Sequence, residues 1–509
     1  MDSAERKSFA ILALALIATA WTSYGYFELD EHFQIIEFAG SKLGIVPTQN
    51  LPWEYEAGIR PWLMPVLFAG LCKFLAFCGI ENRFIWTFIF RLCCAGCGFF
   101  AVLGVYRLSL AWFPDARVRH FNLRLCTLLG FLPYLFVRTS SESLSASFVT
   151  IGMVVLLKNY RESKSVDLQV PDRIWLLSGL MMGLAFQCRY QSILMIGGLG
   201  LWLLWAAKIK WRNILAASSG FLAILAAGLL ADRYGNGKWT FPFYKYFQVN
   251  LLEGKTADFG TDPFFAYFYL VLANVFAPVV LVLMAAIVVF WVRKYRHVIS
   301  WITLPFFLFH CLVGHKEERF LFPIIPLCLL IPALLFVKDG KLDIPDFFHR
   351  RFWRQAYKWL WRYNYVWLIV LCVYPLCVEP YIKHQKFIYE RRNTVNSYYA
   401  VEFNPYQRKE LTYSFYRPAG LSIVEIENIE ELAAIAKENS GREIYFFWKM
   451  PYLENWPESL SQRTSLVNSS YFFFNWPWFV KTCTPILKNL HERFEEVQCP
   501  SLFKISAFP

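Results

Sequence analysis

The stretch FAILALALIATAWTSYGYFELDEHFQ, residues 9–34, joins an apolar run to two neighbouring carboxylates, Asp30 and Glu31. The run is long enough for a membrane-spanning helix. It closes on bulky aromatic residues instead of the small residues that a signal-peptide cleavage site requires. We therefore expect a retained signal-anchor helix with an acidic pair at its mouth.

The composition is typical of a membrane protein. Of the 509 residues, 57% are hydrophobic and 17% are charged, whereas soluble domains carry about 25% charged residues. Apolar runs recur along most of the chain, and they predict an all-α polytopic protein with about eleven transmembrane helices. The candidate crossings are residues 8–27, 84–107, 122–137, 142–158, 173–188, 193–207, 213–230, 267–292, 299–313, 320–337 and 364–380.

Lys and Arg residues cluster in every second loop between these runs, as the positive-inside rule requires. The formal net charge of +13 therefore sets orientation, and we expect no nucleic-acid partner. This pattern predicts a cytoplasmic N-terminus, with residues 28–83 and the C-terminus on the outer side. The apolar segment 61–78 is then re-entrant or interfacial, because one further crossing would invert every later loop.

The acidic pair opens a segment that reads as an amphipathic helix. Asp30, Gln34, Glu37 and Ser41 fall on one face of it, which predicts a helix on the membrane surface with this polar face upward. Asp30 could be only an N-cap and Glu31 only a solvated first-turn charge. Alternatively, the pair supplies a general base at the interface.

Acids and aromatic rings are mixed in LPWEYEAGIRPWLMP, residues 51–65. An interfacial belt would explain the aromatic residues alone. Rings and carboxylates together also suit a sugar, because rings stack on apolar sugar faces while carboxylates accept hydrogen bonds from hydroxyls. We assign acceptor binding to Trp53, Glu54, Glu56 and Arg60.

Cations recur where the outer loops meet the apolar runs. Arg138, Arg189 and Arg233 are each either interfacial anchors or phosphate ligands. The run HKEER, residues 315–319, stands between two apolar runs and either faces a cavity or forms a solvated tight turn. Together these segments offer a base for a hydroxyl and cations for a lipid-linked phosphate.

The acidic pair, WEYEAGIRP, RTSSESL, DRYGNGKW and HKEERFLFP together resemble the polyprenol-phosphate-mannose-dependent mannosyltransferases of the GT-C fold. The resemblance covers roughly residues 8–380 and is strongest to the branch that holds the GPI-anchor and lumenal N-glycan enzymes. It implies that Asp30, with Glu31 as the second acid, deprotonates an acceptor hydroxyl. The hydroxyl then attacks the anomeric carbon with inversion, and the lipid phosphate leaves.

The resemblance also assigns the donor site. His315, Lys316, Glu318 and Arg319 match the family's loop motif, which implies that they bind the donor phosphate or shape its site. Arg138 matches the Arg of the family's RTxSNSxE element, and we place Arg189 and Arg233 with it as donor ligands.

The chain departs from the family pattern in three places. Leu29 stands where the family commonly has Pro, Glu142 replaces Asn and Ser145 replaces Glu. TDPFFAYFY, residues 261–269, replaces a histidine-rich segment. These changes bear on the acceptor and the sugar more than on the reaction type.

No cofactor is expected, because the lipid-linked sugar is a substrate. The cysteines and histidines form no array with zinc-ligand spacing, and we assign no metal site.

The composition divides the chain into a catalytic transmembrane domain, residues 1–380, and an outer α/β domain, residues 381–509. Within the second, NIEELAAIAKEN reads as a helix and REIYFFWK and SLFKIS as strands. If this domain is outside the cell or in the lumen, Cys483 and Cys499 could form a disulfide. Asn468 begins a glycosylation sequon.

Several functions stay open at this stage. A mannosyltransferase could use a GPI precursor, an N-glycan precursor, or a bacterial lipid-linked or polysaccharide acceptor with another sugar. A lipid-linked sugar transporter or flippase would place charges at the bilayer midplane on broken helices. A non-catalytic assembly subunit would have lost the acidic pair. The expected membrane is that of the endoplasmic reticulum in a eukaryote and the inner membrane in a bacterium.

Overall fold

The computed structural model describes residues 2–158, 170–274, 276–338, 341–342, 346–374, 381–401, 403–408, 411–439, 443–451, 462–469 and 501–506. The chain forms two compact units. The helical unit comprises residues 1–39, 53–81 and 85–376, and the mixed unit comprises residues 40–52, 82–84 and 377–509. The predicted domain boundary at residue 380 stays a prediction.

Helices dominate the described residues, as expected. In chain order they are α1 (Ser3–Thr22), α2 (Leu29–Glu31), α3 (Glu37–Lys42), α4 (Trp53–Ala57), α5 (Leu63–Phe77), α6 (Arg83–Trp112), α7 (Ala116–Leu128), α8 (Phe131–Val137), α9 (Ser141–Leu157), α10 (Asp172–Cys188), α11 (Ile193–Trp205), α12 (Trp211–Asn236), α13 (Pro242–Phe247), α14 (Ala266–Leu270), α15 (Ala277–Arg293), α16 (Val298–Leu312), α17 (Ile325–Cys328), α18 (Ile331–Leu335), α19 (Arg351–Val373), α20 (Tyr381–Glu390) and α21 (Ile429–Glu438). Short π turns cover His32–Ile36 and Gln248–Leu252, and 3-10 turns cover Thr48–Asn50, Tyr190–Ser192, Lys255–Phe259, Val271–Ala273, Glu318–Ile324 and Asp346–His349.

Some of the helices are long and apolar enough to cross a membrane. Within the described ranges, α6 and α12 are each long and apolar enough to cross a membrane. The pairs α7–α8 and α15–α16 pass the same test together, but they are bent by 53° and 115°. The chain is therefore a membrane protein, and the count of about eleven crossings stays a prediction.

Besides residues 122–137, which break between α7 and α8, two predicted crossings are not continuous helices. Residues 267–292 break between α14 and α15, and residues 320–337 form a 3-10 turn followed by α17 and α18. Pro323, Pro326 and Pro332 lie in this second segment. Pro326 and Pro332 stand at the starts of α17 and α18, and because proline lacks the backbone N–H that continues a helix, the helical hydrogen bonding is interrupted before each of them. The 3-10 turn packs against α9, and this contact brings Arg319 into the site described below.

The bend between α7 and α8 is stabilised by a residue of α19. The Nδ2 of Asn364 donates to the carbonyl oxygen of Leu128 at 2.7 Å, and its Oδ1 accepts from the N–H of Gly130 at 2.8 Å. Asn364 is buried. A helix break leaves backbone groups without intrahelical partners, and this side chain satisfies two of them.

The prediction that residues 30–43 form a helix on the membrane surface is wrong about the environment of this helix. Residues 29–42 are helical, but the π turn His32–Ile36 interrupts them, and Gln34 and Glu37 are buried. Both polar groups have partners inside the protein: the Nε2 of His32 lies 2.7 Å from the Oε1 of Glu37, and Gln34 donates to Glu54 at 3.1 Å. Helical spacing correctly grouped the polar residues, but it could not show that other segments cover them.

The strands are β1 (Val337–Lys338), β2 (Lys341–Leu342), β3 (Ser397–Val401), β4 (Gln407–Arg408), β5 (Leu411–Thr412), β6 (Ser422–Ile426), β7 (Ile444–Trp448), β8 (Thr464–Ser469) and β9 (Ser501–Ile505). The mixed unit contains a five-stranded sheet in the order β6-β3-β7-β9-β8. Strand β3 runs parallel to both of its neighbours, whereas β9 runs antiparallel to β7 and β8.

Helix α21 of the mixed unit covers this sheet with its apolar face. The Asn428 side chain caps α21 by accepting from the N–H of Glu431, and Leu432 and Ala436 pack with Phe446 and Phe503 of the sheet. The helix and both tail strands expected from the sequence are present. Cys483, Cys499 and the last residue of the Asn468 sequon lie outside the described residues.

Candidate active site

The acidic pair forms the short helix α2, directly after the turn that ends α1. Its N-cap is Glu28, so Asp30 is not the cap of this helix. The side chain of Asp30 is 32% exposed, whereas that of Glu31 is 3% exposed. The readings of a simple N-cap and of a solvated first-turn charge are therefore both wrong. One carboxylate of the pair can be reached, and the other is buried.

Arg319 connects three carboxylates around this position. Its Nη2 lies 2.9 Å from the Oδ2 of Asp30, and its Nε lies 2.5 Å from the Oε2 of Glu317. Its Nη1 lies 3.7 Å from the Oε1 of Glu142. The Arg319 side chain is 7% exposed, so its charge is held away from bulk water and fixed in direction. The structure thus joins the two motifs that the sequence placed furthest apart.

Glu142 is a residue of this site that sequence reasoning missed. It is buried, and the Nη1 of Arg189 lies 2.5 Å from its Oε1. Glu142 lies in the first turn of α9, whose N-cap Ser140 accepts from the N–H of Ser143. A carboxylate is favourable there because the helix dipole is positive at that end. The available signal was a single charge inside an otherwise uncharged run.

The buried acid of the pair has its own cation. The Nη1 of Arg138 lies 3.7 Å from the Oε2 of Glu31, and both side chains are almost inaccessible. The guanidinium also stacks over the ring of Tyr134, 4.8 Å from its centroid. Arg138 therefore contacts the site through Glu31, and it is not an interfacial anchor.

Burial and the arginines separate the protonation states of the three neighbouring acids. Burial alone would raise the pKa of Asp30, but Arg319, and after it Arg60, lower it below its ordinary value. Burial raises the pKa of Glu31 to about 6 against the opposing charge of Arg138. Burial likewise raises the pKa of Glu28 to about 7 against Arg319. At neutral pH, Asp30 is ionised, whereas Glu28 is only about half ionised.

The HKEER loop is internally paired and is not a solvated turn. The Nε2 of His315 lies 2.9 Å from the Oε1 of Glu317. The Nζ of Lys316 is buried and donates to the backbone oxygens of Asp262 at 3.0 Å and Val313 at 2.6 Å. In this arrangement Lys316 fixes the loop backbone, while Arg319 reaches the acidic pair.

Glu318 points away from this network. It accepts a hydrogen bond from the Nδ2 of Asn274 at 2.8 Å. Both residues line an apolar cavity of about 200 Å³, together with Phe27, Phe276 and Leu321. Because Phe27 precedes the acidic pair and Glu318 precedes Arg319, the cavity adjoins the polar cluster.

Two of the four predicted acceptor residues come together. The Oε1 of Glu54 lies 3.4 Å from the Nη2 of Arg60 and also accepts from Gln34. The Arg60 guanidinium lies 5.6 Å from the centre of the Tyr246 ring. Trp53 and Glu56 are exposed and take no part in this group. Gln34 was predicted only as part of the polar face that follows Asp30, and Tyr246 was not predicted, because neither belongs to a charged motif.

The segment that carries Glu54 and Arg60 is held by α12. Asp232 is buried and accepts from the backbone N–H of Trp62 at 2.8 Å, while the indole N–H of Trp62 donates to Asn236 at 3.1 Å. Arg233, the neighbour of Asp232, is exposed and instead donates to the Gly237 carbonyl. The structure therefore does not bring Arg233 to the other arginines, and its donor role has no support from geometry.

The cluster has unused capacity for an anion. The Nε of Arg60, the Nε of Arg189 and the Nη1 of Arg319 are buried and make no hydrogen bond. Buried donors are normally satisfied, and guanidinium groups match phosphate oxygens in geometry and charge. In the described part of the chain, no group of three His, Cys, Asp or Glu residues could hold a metal ion.

Helices of bilayer length and a buried charge network after the first helix are the features of a membrane protein with a polar site at the end of an apolar segment. The chain matches the Alg9-like mannosyltransferase family over residues 8–405, and it belongs to that family. This match confirms the family and the enzyme class expected from the sequence.

Named relatives agree with this assignment. The chain is 28% identical over 339 residues to Mannosyltransferase APTG1 of Arabidopsis thaliana, covering 65% of this chain and 59% of that one. It is 24% identical over 337 residues to GPI mannosyltransferase 3 of Candida albicans, covering 65% and 64%. The match thus spans less than two thirds of each relative. Among solved structures, ArnT from Cupriavidus metallidurans bound to undecaprenyl phosphate aligns over 100% of both chains, with 11% identity and a TM-score of 0.49.

Proposed function

We propose that this protein transfers mannose, with inversion, from polyprenyl-phosphate-mannose to a hydroxyl of a lipid-linked glycan similar to a GPI precursor. The observation that carries the proposal is the contact of 2.9 Å between Asp30 and Arg319. It brings a reachable carboxylate and a buried cation into one site, next to an apolar cavity. An acceptor hydroxyl needs the carboxylate as a base. A lipid-linked phosphate needs the cation for its charge and the apolar cavity for its lipid chain.

Asp30 is the proposed general base, because it is the accessible acid of the pair. The acceptor oxygen forms a bond to the anomeric carbon while the bond from that carbon to the phosphate oxygen breaks. The hydroxyl proton passes to Asp30, and the lipid phosphate leaves with the electron pair of the broken bond. Glu31 acts through its ion pair with Arg138, which fixes the backbone of α2.

Arg319 and Arg189 are the proposed phosphate ligands. Both keep buried N–H groups without hydrogen bonds, and both guanidiniums lie against the carboxylate of Glu142. A phosphate oxygen that binds Arg319 competes with Asp30 for the same guanidinium. Donor binding therefore weakens the ion pair that lowers the pKa of Asp30, and the base becomes stronger when the donor is in place.

The apolar cavity supports a lipid-linked donor. It is lined mostly by apolar and aromatic side chains, and Glu318 and Asn274 in its wall are hydrogen-bonded to each other. A polyprenyl chain needs such a surface near the phosphate site, whereas a sugar nucleotide does not.

The names of the relatives support the acceptor class. Glu54, Arg60 and Gln34 are the proposed ligands of its sugar hydroxyls, because they form one polar group and the charge of Arg60 acts on Asp30. With a GPI-like acceptor, the site faces the lumen of the endoplasmic reticulum and the N-terminus lies in the cytoplasm.

The test is transfer by the purified full chain in detergent. Dolichyl-phosphate-mannose labelled in the sugar is offered with GPI-type, N-glycan-type and bacterial lipid-linked acceptors, beside Asp30→Asn. We expect label on a GPI-type acceptor only with intact Asp30. Label on another acceptor would overturn the proposed acceptor class. Donor binding without any transfer would show that none of the three acceptor classes is the substrate. Absence of donor binding would overturn the donor, and equal transfer by Asp30→Asn would overturn the base.

A further inference from the structure

The helix α19 begins well before its predicted membrane crossing. Sequence patterning placed residues 338–362 in a basic loop and began the crossing at residue 364. In the structure the helix is continuous over Arg351–Val373. Its first twelve residues are mostly exposed, whereas Asn364, Leu368 and Leu371 in its second half are buried.

The exposed half of α19 has two chemically distinct faces. Four basic residues follow helical spacing and fall within a sector of about 80° of the helix circumference. We call this group the basic stripe, and it consists of Arg351, Arg354, Lys358 and Arg362. Apart from Gln355, the rest of the circumference is aromatic and aliphatic, and Phe352 and Trp359 on it are 71% and 57% exposed. A helix with these two faces matches the pattern of one that lies in a membrane interface.

Within the described ranges, the basic stripe has no counter-ions. All four side chains are exposed, and among the described residues none of them makes an ion pair or a side-chain hydrogen bond. The sequence contains no Asp or Glu between residues 347 and 378. The stripe is therefore a block of positive charge that nothing on its own helix neutralises.

The second half of α19 places the stripe near a lipid surface. Val366, Ile369 and Val373 are exposed aliphatic residues in that half, with exposures of 58%, 66% and 72%. Arg362 precedes Val373 by about 16 Å of helix, at 1.5 Å per residue. When the aliphatic half contacts lipid tails, the basic stripe lies at the depth of the headgroups, where Trp and Tyr side chains are also favoured.

We propose that the basic stripe of α19 is a binding site for the headgroups of anionic phospholipids. The charge of the stripe is complementary to such headgroups, and its continuity with the lipid-facing half favours a membrane lipid over a soluble partner. This site is separate from the catalytic cluster, and the proposal does not depend on the donor or the acceptor.

The experiment uses the full chain purified in neutral detergent. It is exposed to equal amounts of phosphatidylcholine and phosphatidylserine, and the lipids retained per protein are counted by native mass spectrometry. The test variant is Arg351→Gln/Arg354→Gln/Lys358→Gln/Arg362→Gln. The matched control, Lys208→Gln/Lys210→Gln/Arg293→Gln/Arg296→Gln, removes the same charge from other exposed positions on the same predicted side.

Wild type should retain phosphatidylserine in preference to phosphatidylcholine, and high salt should weaken this preference. The test variant should retain about one third or less of the phosphatidylserine that the wild type retains, while the control variant keeps most of it. Equal retention by wild type and test variant, or equal loss by test and control variants, would overturn the proposal. If the quadruple variant does not fold, the two halves of it are tested separately, and each should lose part of the retention.

Discussion

Two groups of arginines in the helical unit have opposite surroundings. Arg138, Arg189 and Arg319 are buried, and each lies against a carboxylate. The arginines of the basic stripe on α19 are exposed and have no ionic partner among the described residues. Both groups consist of arginines that stand next to an apolar run. Neither the residue type nor this position in the sequence therefore distinguishes the buried arginines from the exposed ones.

The difference follows from the cost of removing charge from water. An arginine can be buried only with a counter-ion and further hydrogen bonds, so the buried group required carboxylates at matching places. The exposed group keeps its solvation and needs no partner. Burial with a carboxylate partner therefore marks the candidate catalytic site, whereas exposure without one marks the proposed lipid-binding surface. The predictions below test this contrast, beginning with the largest expected effect.

Asp30→Asn should lower the rate of mannose transfer by roughly 100-fold or more, because it removes the accessible proton acceptor. The variant should stay folded, since Asn keeps the shape of Asp. Initial rates with labelled donor check this. Asp258→Asn is the matched control, because Asp258 is exposed and pairs with Lys255 at the surface. Similar losses in both variants would show that the position of the acid does not matter.

Arg319→Ala should reduce transfer by roughly 10- to 100-fold, mainly through a higher KM for the donor. It removes a proposed phosphate ligand and leaves Asp30, Glu142 and Glu317 without their shared cation. The control is Arg212→Ala, which breaks the exposed pair with Asp172. If the two variants have the same donor KM, Arg319 is not a phosphate ligand.

Glu142→Ala should lower the thermal unfolding midpoint clearly, because it leaves the buried guanidinium of Arg189 without its carboxylate and removes one of the three carboxylates around Arg319; breaking a buried pair costs about 3 kcal/mol or more. Glu317→Ala should cost less, since Glu317 is 26% exposed and water can replace it. Unfolding in detergent, followed by intrinsic fluorescence, ranks the variants. Arg354→Gln on the basic stripe should leave the midpoint unchanged, and an equal drop there would remove the distinction between the two groups.

Glu28→Gln should change the pH dependence of stability by a small amount. Glu28 makes no ion pair among the described residues, and folding raises its pKa from 4.5 to about 7. The native state therefore holds this proton more tightly, so the stabilisation is present at low pH and is lost as the pH rises through 7. Between pH 5 and pH 8, the thermal unfolding midpoint of the wild type should fall further than that of the variant. The difference between the two falls should be about 3 °C at most. Parallel curves would mean that Glu28 titrates normally.

Local sequence determined the helices that consist of one uninterrupted apolar run. Helices α6, α9, α10, α11 and α12 lie where hydropathy placed them, because their pattern depends only on neighbouring residues. The motif residues Asp30 and Arg319 were also predicted as members of one site, through the family resemblance. The family and the enzyme class followed from the same motifs.

Tertiary structure decided which polar groups are buried and which of them meet. The residues of the cluster come from separate parts of the chain, and helical spacing carries no information on such contacts. Sequence patterning therefore placed Gln34 and Glu37 at the surface, passed over Glu142 as a pairing partner, and grouped Arg233 with arginines that it does not join. The start of α19 was missed for the same reason, since a hydropathy window ends where charges begin. Charges end an apolar run, but only long-range packing decides whether they face water, lipid headgroups or each other.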